Sequence, residues 1–286
     1  MTVNPFQKFV EDHARLLERG RKLPVGRPSK IPSPPKISKP AGVAVIFSPH
    51  PDDECIVGGL PLRLRRQAGW QVINVAVTLG SKPERQVERW RELKDACDCL
   101  GFELASGNRV DIHGMTRSEN PAYWAKVVRN IARFLLRTPP RVIFVPHEND
   151  GHPMHAGSHL LILDALKTLP AAFRCYVVET EFWAPLAKPN LAVESGAGDV
   201  ADLVMALSCH AGEVRRNPYH ARLPAWMMDN VRRGAELVGG AGAAAPEFAF
   251  ATLYRLRRWS RGRLADAGSR GTFLAANSDP AALFPD

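Results

Sequence analysis

The stretch Val43-Ala-Val-Ile-Phe-Ser-Pro-His50-Pro-Asp52-Asp53-Glu54-Cys-Ile-Val-Gly58-Gly59 decides how the chain is read. It opens on five apolar residues rich in β-branched types, the pattern of a strand buried on both faces of a parallel sheet. Ser-Pro-His-Pro then forces an extended turn, since neither proline suits a helix interior. From Asp52 the residues become helix-compatible. Strand, polar turn and helix start, in that order, are where α/β folds carry their chemistry. His50 and Asp53 sit three apart across the turn and can face one metal ion. Imidazole nitrogen with carboxylate oxygen suits zinc or another divalent first-row metal. The adjoining pair Asp52–Asp53 offers one carboxylate as ligand and one as base.

The chain downstream repeats this alternation. A helix follows over about 55–68, stopped by Gly69. Residues 71–81 read as a second buried strand ending in Thr78-Leu79-Gly80-Ser81, and 84–100 as an amphipathic helix closed by Gly101. Residues 102–113 read as a short strand and loop, and 120–137 as a helix stopped by Pro139-Pro140. A buried strand, 141–146, ends at Pro146 before His147-Glu-Asn-Asp150-Gly-His152-Pro-Met154-His155-Ala-Gly-Ser-His159, and an apolar helix runs on to about Leu169. Residues 175–183 are a further strand, 200–216 and 225–238 helices, 239–246 a Gly/Ala loop and 248–259 a final strand. Strands alternating with helices predict a doubly wound, mostly parallel Rossmann-like sheet with helices on both faces.

The flanks differ from this body. Phe6, Phe9, Val10, Ala14 and Leu17 have helical spacing over 5–20. Residues 21–40 hold six prolines and six Lys/Arg and read as an extended, solvated arm. The expected division is therefore 1–40, an N-terminal helix and arm; 41–260, the α/β domain; and 261–286, a loosely ordered tail. The arm could also lie along a neighbouring subunit, which keeps a homo-oligomer open.

With 286 residues, 45% hydrophobic, the composition is that of a globular protein, and no run has transmembrane length. The five cysteines form no Cys-x-x-Cys, and Cys97-x-Cys99 reads as helix packing; together with the absence of a secretory leader pattern this predicts free thiols and a cytoplasmic protein. The net charge of +9 favours acidic partners without selecting one.

Two strands thus end in proline followed by histidine. In a parallel sheet their C-terminal ends share one edge, so His50, Asp53 and a histidine from 152–159 can converge. Three protein ligands plus water is the make-up of a catalytic zinc site. Each residue also has a structural reading: Asp52 as an N-cap, Glu54 as a partner of the helix dipole, Arg89 as a solvated charge, Glu179 and Glu181 as ion-pair members. His147 and His159 read as supporting or surface residues. Asp111-Ile-His113 could line the pocket but is given no role in the site.

With these motifs the sequence resembles the LmbE-like (PIG-L) zinc-dependent de-N-acetylases. The resemblance rests on Pro49-His50-Pro51-Asp52-Asp53-Glu54, Thr78-Leu79-Gly80, Arg89-Trp-x-Glu92-Leu93, His152-Pro-x-His155 and Ala206-Leu-x-x-His210, spanning roughly 43–215. It implies that His50, Asp53 and His155 bind Zn2+, that Asp52 is the general base, and that His152 assists the oxyanion or protonates the leaving amine. It implies that Arg89 bonds sugar hydroxyls, and that the substrate is a small amino-sugar conjugate such as one of N-acetylglucosamine. The chain departs from the family at Met154, commonly Asp, and at Glu213, often Gln; Asp150 is the nearby carboxylate that could stand in for the first.

The competing reading is a basic Rossmann-like module that binds nucleic acid without catalysis, through the arm and pairs such as Arg215-Arg216, Arg232-Arg233 and Arg257-Arg258. Against it, the basic residues are scattered, with no recognised binding pattern, and no nucleic-acid partner is expected. A Gly-rich dinucleotide fingerprint is also missing.

Overall fold

The computed structural model describes residues 4–29, 33–105, 112–268 and 271–285. In chain order the elements are α1 (Gln7–Arg21), β1 (Val43–Ser48), α2 (Asp53–Ile56), α3 (Gly59–Ala68), β2 (Gln71–Ala76), α4 (Gln86–Leu100) and β3 (Glu103–Ala105). Then come α5 (Thr116–Glu119), α6 (Pro121–Arg137), β4 (Val142–Pro146), α7 (Pro153–Lys167), β5 (Cys175–Thr180) and β6 (Leu191–Glu194). The chain closes with α8 (Ala197–Ser208), α9 (Ala211–Arg216), α10 (Tyr219–Leu237), β7 (Ala251–Ser260), β8 (Arg263–Asp266) and β9 (Thr272–Leu274).

β1 lies inside the sheet because both its faces are apolar. Ala44 and Ile46 join Val72, Val142, Phe144 and Val178 on one side, under α3, α4 and α8. Val45 and Phe47 join Ile73, Val75, Ile143 and Val177 on the other, under α6 and α7. The order is β3-β2-β1-β4-β5-β7-β6-β9, with β8 on β7. The first five strands are parallel. The chain leaves β1 towards β2 and β3, then returns to the other side of β1 as β4. The C-terminal ends of β1 and β4 therefore flank the point where strand order reverses, the ligand crevice of doubly wound sheets. None of the described helices is long and apolar enough to cross a membrane.

The structure corrects several expectations. The helix expected over 55–68 is two, α2 and α3, broken at Val57–Gly58. A Cβ at Gly58 would lie 2.7 Å from Leu203 Cδ2, and one at Gly59 would lie 2.6 Å from Thr252 Oγ1, so the glycines let this segment press on α8 and β7. The helix expected over 200–216 is likewise divided, into α8 and α9, and the one expected over 225–238 begins at Tyr219, with Pro224 inside it. The strand expected over 175–183 stops at Thr180. β6 is an additional strand, and the final strand β7 runs antiparallel to β5 and β6.

The tail expected to be loosely ordered beyond 260 instead forms β8 and β9 and ends on Phe284, fully buried against Trp70 and Tyr176. A buried arginine explains its order. Arg63 donates to the carbonyls of Leu274, Ala275 and Ser278, so the cation on α3 is solvated by the returning chain. Asp111 lies outside the described residues; His113 pairs with Glu119 at 3.7 Å.

Candidate metal centre and its pocket

The turn after β1 is held by the end of β2: Val77 N–H donates to Ser48 O at 2.7 Å and Thr78 N–H to Pro49 O at 3.1 Å. Within it, Asp53 Oδ2 accepts from the His50 backbone N–H at 2.7 Å. Asp53 Oδ1 is buried without a hydrogen-bond partner. Asp52 has φ +121°, a region non-glycine residues rarely enter, at a cost on the order of 1–3 kcal/mol. Its N–H donates to Glu54 Oε2 at 3.0 Å, and Glu54 Oε1 is paired with His210 Nε2 at 2.7 Å. Glu54 is thus a buried brace under the strained residue, where the sequence suggested only a helix-dipole role. Asp52 occupies the N-cap position but makes no side-chain capping bond.

The other half of the site comes from β4. His147 and His159 anchor the backbone there, through Ala184 O and Pro146 O, each at 2.9 Å. His152 caps α7, and its Nδ1 accepts from Met154 N–H at 3.2 Å. His155, one turn in, pairs through Nδ1 with Asp150 Oδ2 at 2.6 Å. Asp150 Oδ1 in turn accepts from the backbone N–H groups of Phe182, Trp183 and Ala184 at 3.2, 2.7 and 2.9 Å. The carboxylate missing at Met154 has a counterpart in Asp150.

These two halves meet. His155 Nε2 is 3.3 Å from His50 Nδ1 and 3.6 Å from Asp53 Oδ2, and His50 Nδ1 is 3.8 Å from the same oxygen. Such separations suit donors sharing one ion at bond lengths of about 2.0–2.2 Å. His152 also lies close, with ligand atoms of His50, His152 and His155 all within 4.8 Å of one another. Their hydrogen bonds separate the two α7 histidines. A proton on His155 Nδ1, facing Asp150, leaves the Nε2 lone pair free for a metal. A neutral His152 that accepts at Nδ1 carries its proton on Nε2, which makes it a donor. A second cluster, Glu54, Cys55 and His210, spans a similar distance, but its Nε2, Sγ and carboxylate atoms are bonded to one another.

The electrostatics favour a divalent cation at this point. Burial, then the charges of Asp53 and Glu54, push Asp52 well above the usual carboxylate range, against the pull of Arg89. Burial raises Asp53 to about 6 despite His155 and the His50 N–H. Burial and the neighbouring His155, Arg89 and His152 hold His50 well below the usual imidazole value, so it is neutral and ready to coordinate. For His155 burial acts downwards but is outweighed by Asp53 and Asp150, and its value is raised. An excess of buried carboxylate, one oxygen of which is unpartnered, is what a divalent cation relieves.

Beside these residues opens a cavity of about 470 Å³. His50, Asp52, Arg89 and His152 all line it. Arg89 is no free surface charge: its Nη2 donates to Pro51 O at 3.1 Å. Its guanidinium also fills the space over Gly80, where a Cβ would meet Nη1 at 2.2 Å and φ is +86°. Sequence reasoning missed the remaining wall. Trp183 stacks on His152 at 5.5 Å and is half-exposed, Phe182 stacks on His155 at 5.7 Å, and Tyr219 meets Phe182 edge-on. The available signal was that Phe182-Trp183 directly follow a strand ending on the active edge. Glu213 and Arg216, an ion pair, also line the cavity.

Residues 45–166 match the family model described as PIG-L: GlcNAc-PI de-N-acetylase. No curated protein matches the chain by sequence. Among solved structures, N,N'-diacetylchitobiose deacetylase from Pyrococcus horikoshii is 17% identical, with TM-score 0.55 over 87% of this chain and 92% of its own. The zinc inhibited form of teicoplanin deacetylase Orf2 is 15% identical, TM-score 0.55, over 76% and 98%. GalB, the 4-carboxy-2-hydroxymuconate hydratase from Pseudomonas putida KT2440, is also 15% identical, TM-score 0.56, over 81% and 98%. At these identities the likeness establishes the fold, and the hydratase shows that this fold is not tied to one reaction. The match covers the Pro-His-Pro-Asp-Asp-Glu turn and the histidine cluster facing it, so residues 45–166, which carry the site, are similar to the PIG-L, LmbE-like de-N-acetylases.

Proposed function

We propose that the chain is a metal-dependent N-deacetylase that uses zinc and acts on an amino sugar or its conjugate, with N-acetylglucosamine as the acylated unit. The observation that carries this reading is the approach of His50, Asp53 and His155 around one point, beside a polar cavity that Asp52 also lines. The family description, GlcNAc-PI de-N-acetylase, and the neighbour named for N,N'-diacetylchitobiose support the substrate class.

His50, Asp53 and His155 would hold the ion, which when bound supplies a Lewis acid and lowers the pKa of water. Asp52 accepts the proton of the attacking water. Its carboxylate lines the cavity, which that of Asp53 does not, and it sits on a backbone held at positive φ. His152 has its Nδ1 occupied by Met154 N–H, so its Nε2–H donates a hydrogen bond to the carbonyl oxygen as that atom gains charge, while the proton taken up by Asp52 is the one passed to the leaving nitrogen. Arg89, fixed by Pro51 O, offers its remaining N–H groups to sugar hydroxyls. Trp183 and Tyr219 supply aromatic faces for the sugar ring.

The arginines that a nucleic-acid reading would need are largely committed: Arg232 to Asp229, Arg233 to Glu181, Arg255 to Asp266 and Arg257 to Glu179. All five cysteines are free and buried, which supports a reducing, cytoplasmic setting. The test is amine release from a panel of N-acetylglucosamine conjugates. Activity with at least one, abolished by chelation and restored by zinc, is expected. A zinc-loaded protein that releases amine from none of them would refute the substrate class, and one that binds no zinc would refute the metal.

A further inference from the structure

The first helix has no buried residue. Its 3.6-residue period nevertheless sorts it into two faces, with Phe6, Phe9, Val10, Leu16 and Leu17 on one and Lys8, Glu11, Arg15 and Arg19 on the other. Phe6, Phe9, Val10 and Leu16 are 70, 65, 63 and 58% exposed. The helix is seated at its C-terminal end, where Gly20 lies so close to α10 that a Cβ on it would come 2.9 Å from Ala221 Cβ. The polar face is stapled by its own ion pairs, Lys8–Asp12 at 3.1 Å, Arg15–Glu11 at 2.8 Å and Arg21–Glu18 at 2.9 Å. The helix thus rests on α10 through the C-terminal end of its apolar side, while Phe6, Phe9, Val10 and Leu16 along the rest of that side stay uncovered. A contiguous apolar face of this kind marks an interaction surface.

Charge selects the partner. Residues 1–40 contain nine Lys/Arg and three Asp/Glu, a balance of +6 out of the chain's +9. All three acidic residues are engaged in the ion pairs within the helix. Among the described residues Arg19 and Lys22 have no ion-pair partner. Two copies meeting through this face would bring like charge together, whereas an anionic bilayer takes up both the apolar stripe and the cations around it. We propose that α1 docks in the plane of an anionic membrane surface, its phenylalanine and leucine side chains entering the headgroup boundary and the cations of Arg19 and Lys22 at its C-terminal end reaching the lipid phosphates. The seat of α1, Ala221, is two residues from Tyr219 on the cavity wall, so the docked helix is carried by the element that borders the site.

The experiment is co-sedimentation of the full chain with vesicles of phosphatidylglycerol and, separately, phosphatidylcholine. Binding to the anionic vesicles alone, weakened by salt, is expected. Phe9→Glu with Leu16→Glu should lower the partition coefficient about tenfold or more, and Arg19→Glu with Lys22→Glu should lower it further at low salt than at high. Circular dichroism and zinc content should be unchanged, since all four side chains lie on the surface. Absence of binding to phosphatidylglycerol at low salt overturns the proposal. Binding that Phe9→Glu with Leu16→Glu leaves intact also overturns it, by moving the contact to the arm. Lipid-free dimerisation that this variant abolishes overturns it in favour of a second copy.

Discussion

Asp52 and Asp53 are adjacent and chemically identical, yet the backbone separates them. Asp53 turns back to the His50 N–H and faces His155, while Asp52 sits at φ +121° on the cavity side. Asp52→Asn should therefore keep zinc and lose about 100-fold or more in turnover, the scale of a lost general base. Asp53→Asn should instead lose zinc, and metal analysis beside kinetics on the two variants checks the assignment. Asp150 gives a sharper test. Its Oδ1 is taken by three backbone N–H groups, so in Asp150→Asn the amide oxygen keeps that place and an NH2 faces His155 Nδ1. The imidazole must then accept there and carry its proton on Nε2, where the lone pair is needed. Zinc affinity should fall about 10–100-fold with the fold intact, measurable by competition with a chromophoric chelator. Unchanged affinity would show that His155 is not held through this bond.

At the scale of elements, the legible parts were those whose signal is local. The alternation of apolar strands and helices, and the two Pro-His turns, are written within a dozen residues each. The turn, the convergence of His50, Asp53 and His155, and the shared sheet edge followed from them. What was not legible depended on distant partners. Nothing near Val57 announces a break, because the break exists to fit Leu203 and Thr252. The polar groups it frees are met by one side chain: Tyr254 Oη donates to Val57 O at 2.7 Å and accepts from Leu60 N–H at 2.9 Å. Tyr254 is fully buried, so no water replaces the hydroxyl. Tyr254→Phe should cost about 1–3 kcal/mol, the penalty for stranding buried polar groups, read as a lower denaturant midpoint. Zinc affinity should fall with it, because α2 begins at Asp53, the proposed ligand. A midpoint equal to the parent's would mean that the break is satisfied some other way.

The whole molecule closes on itself through its last residues. Composition made the segment beyond 260 look loosely ordered, being rich in Gly, Ala, Ser and Pro, and composition is a poor guide where a few side chains carry the packing. Phe284 is fully buried between Trp70, which follows α3, and Tyr176 of β5, and Arg141 Nε donates to its carbonyl at 2.5 Å. Tyr176 Oη donates to Pro285 O at 3.0 Å. Arg63, meanwhile, is a buried cation that donates to the carbonyls of Leu274, Ala275 and Ser278 as well as to Glu194 O and Gln67 Oε1. Releasing the tail would thus leave an aromatic cavity and a buried cation short of several acceptors at the same time, and the second is the costlier. Phe284→Ala should lower stability by about 3–5 kcal/mol, with no change in zinc stoichiometry, since the site lies at the opposite, C-terminal end of the parallel strands. Truncation before residue 271 should cost more than Phe284→Ala, by the stranded Arg63, and Arg63→Met should recover part of that difference in the truncated chain. Denaturant titrations of the three proteins decide it. Equal midpoints for the truncated chain with and without Arg63→Met would show that Arg63 finds other acceptors once the tail has gone.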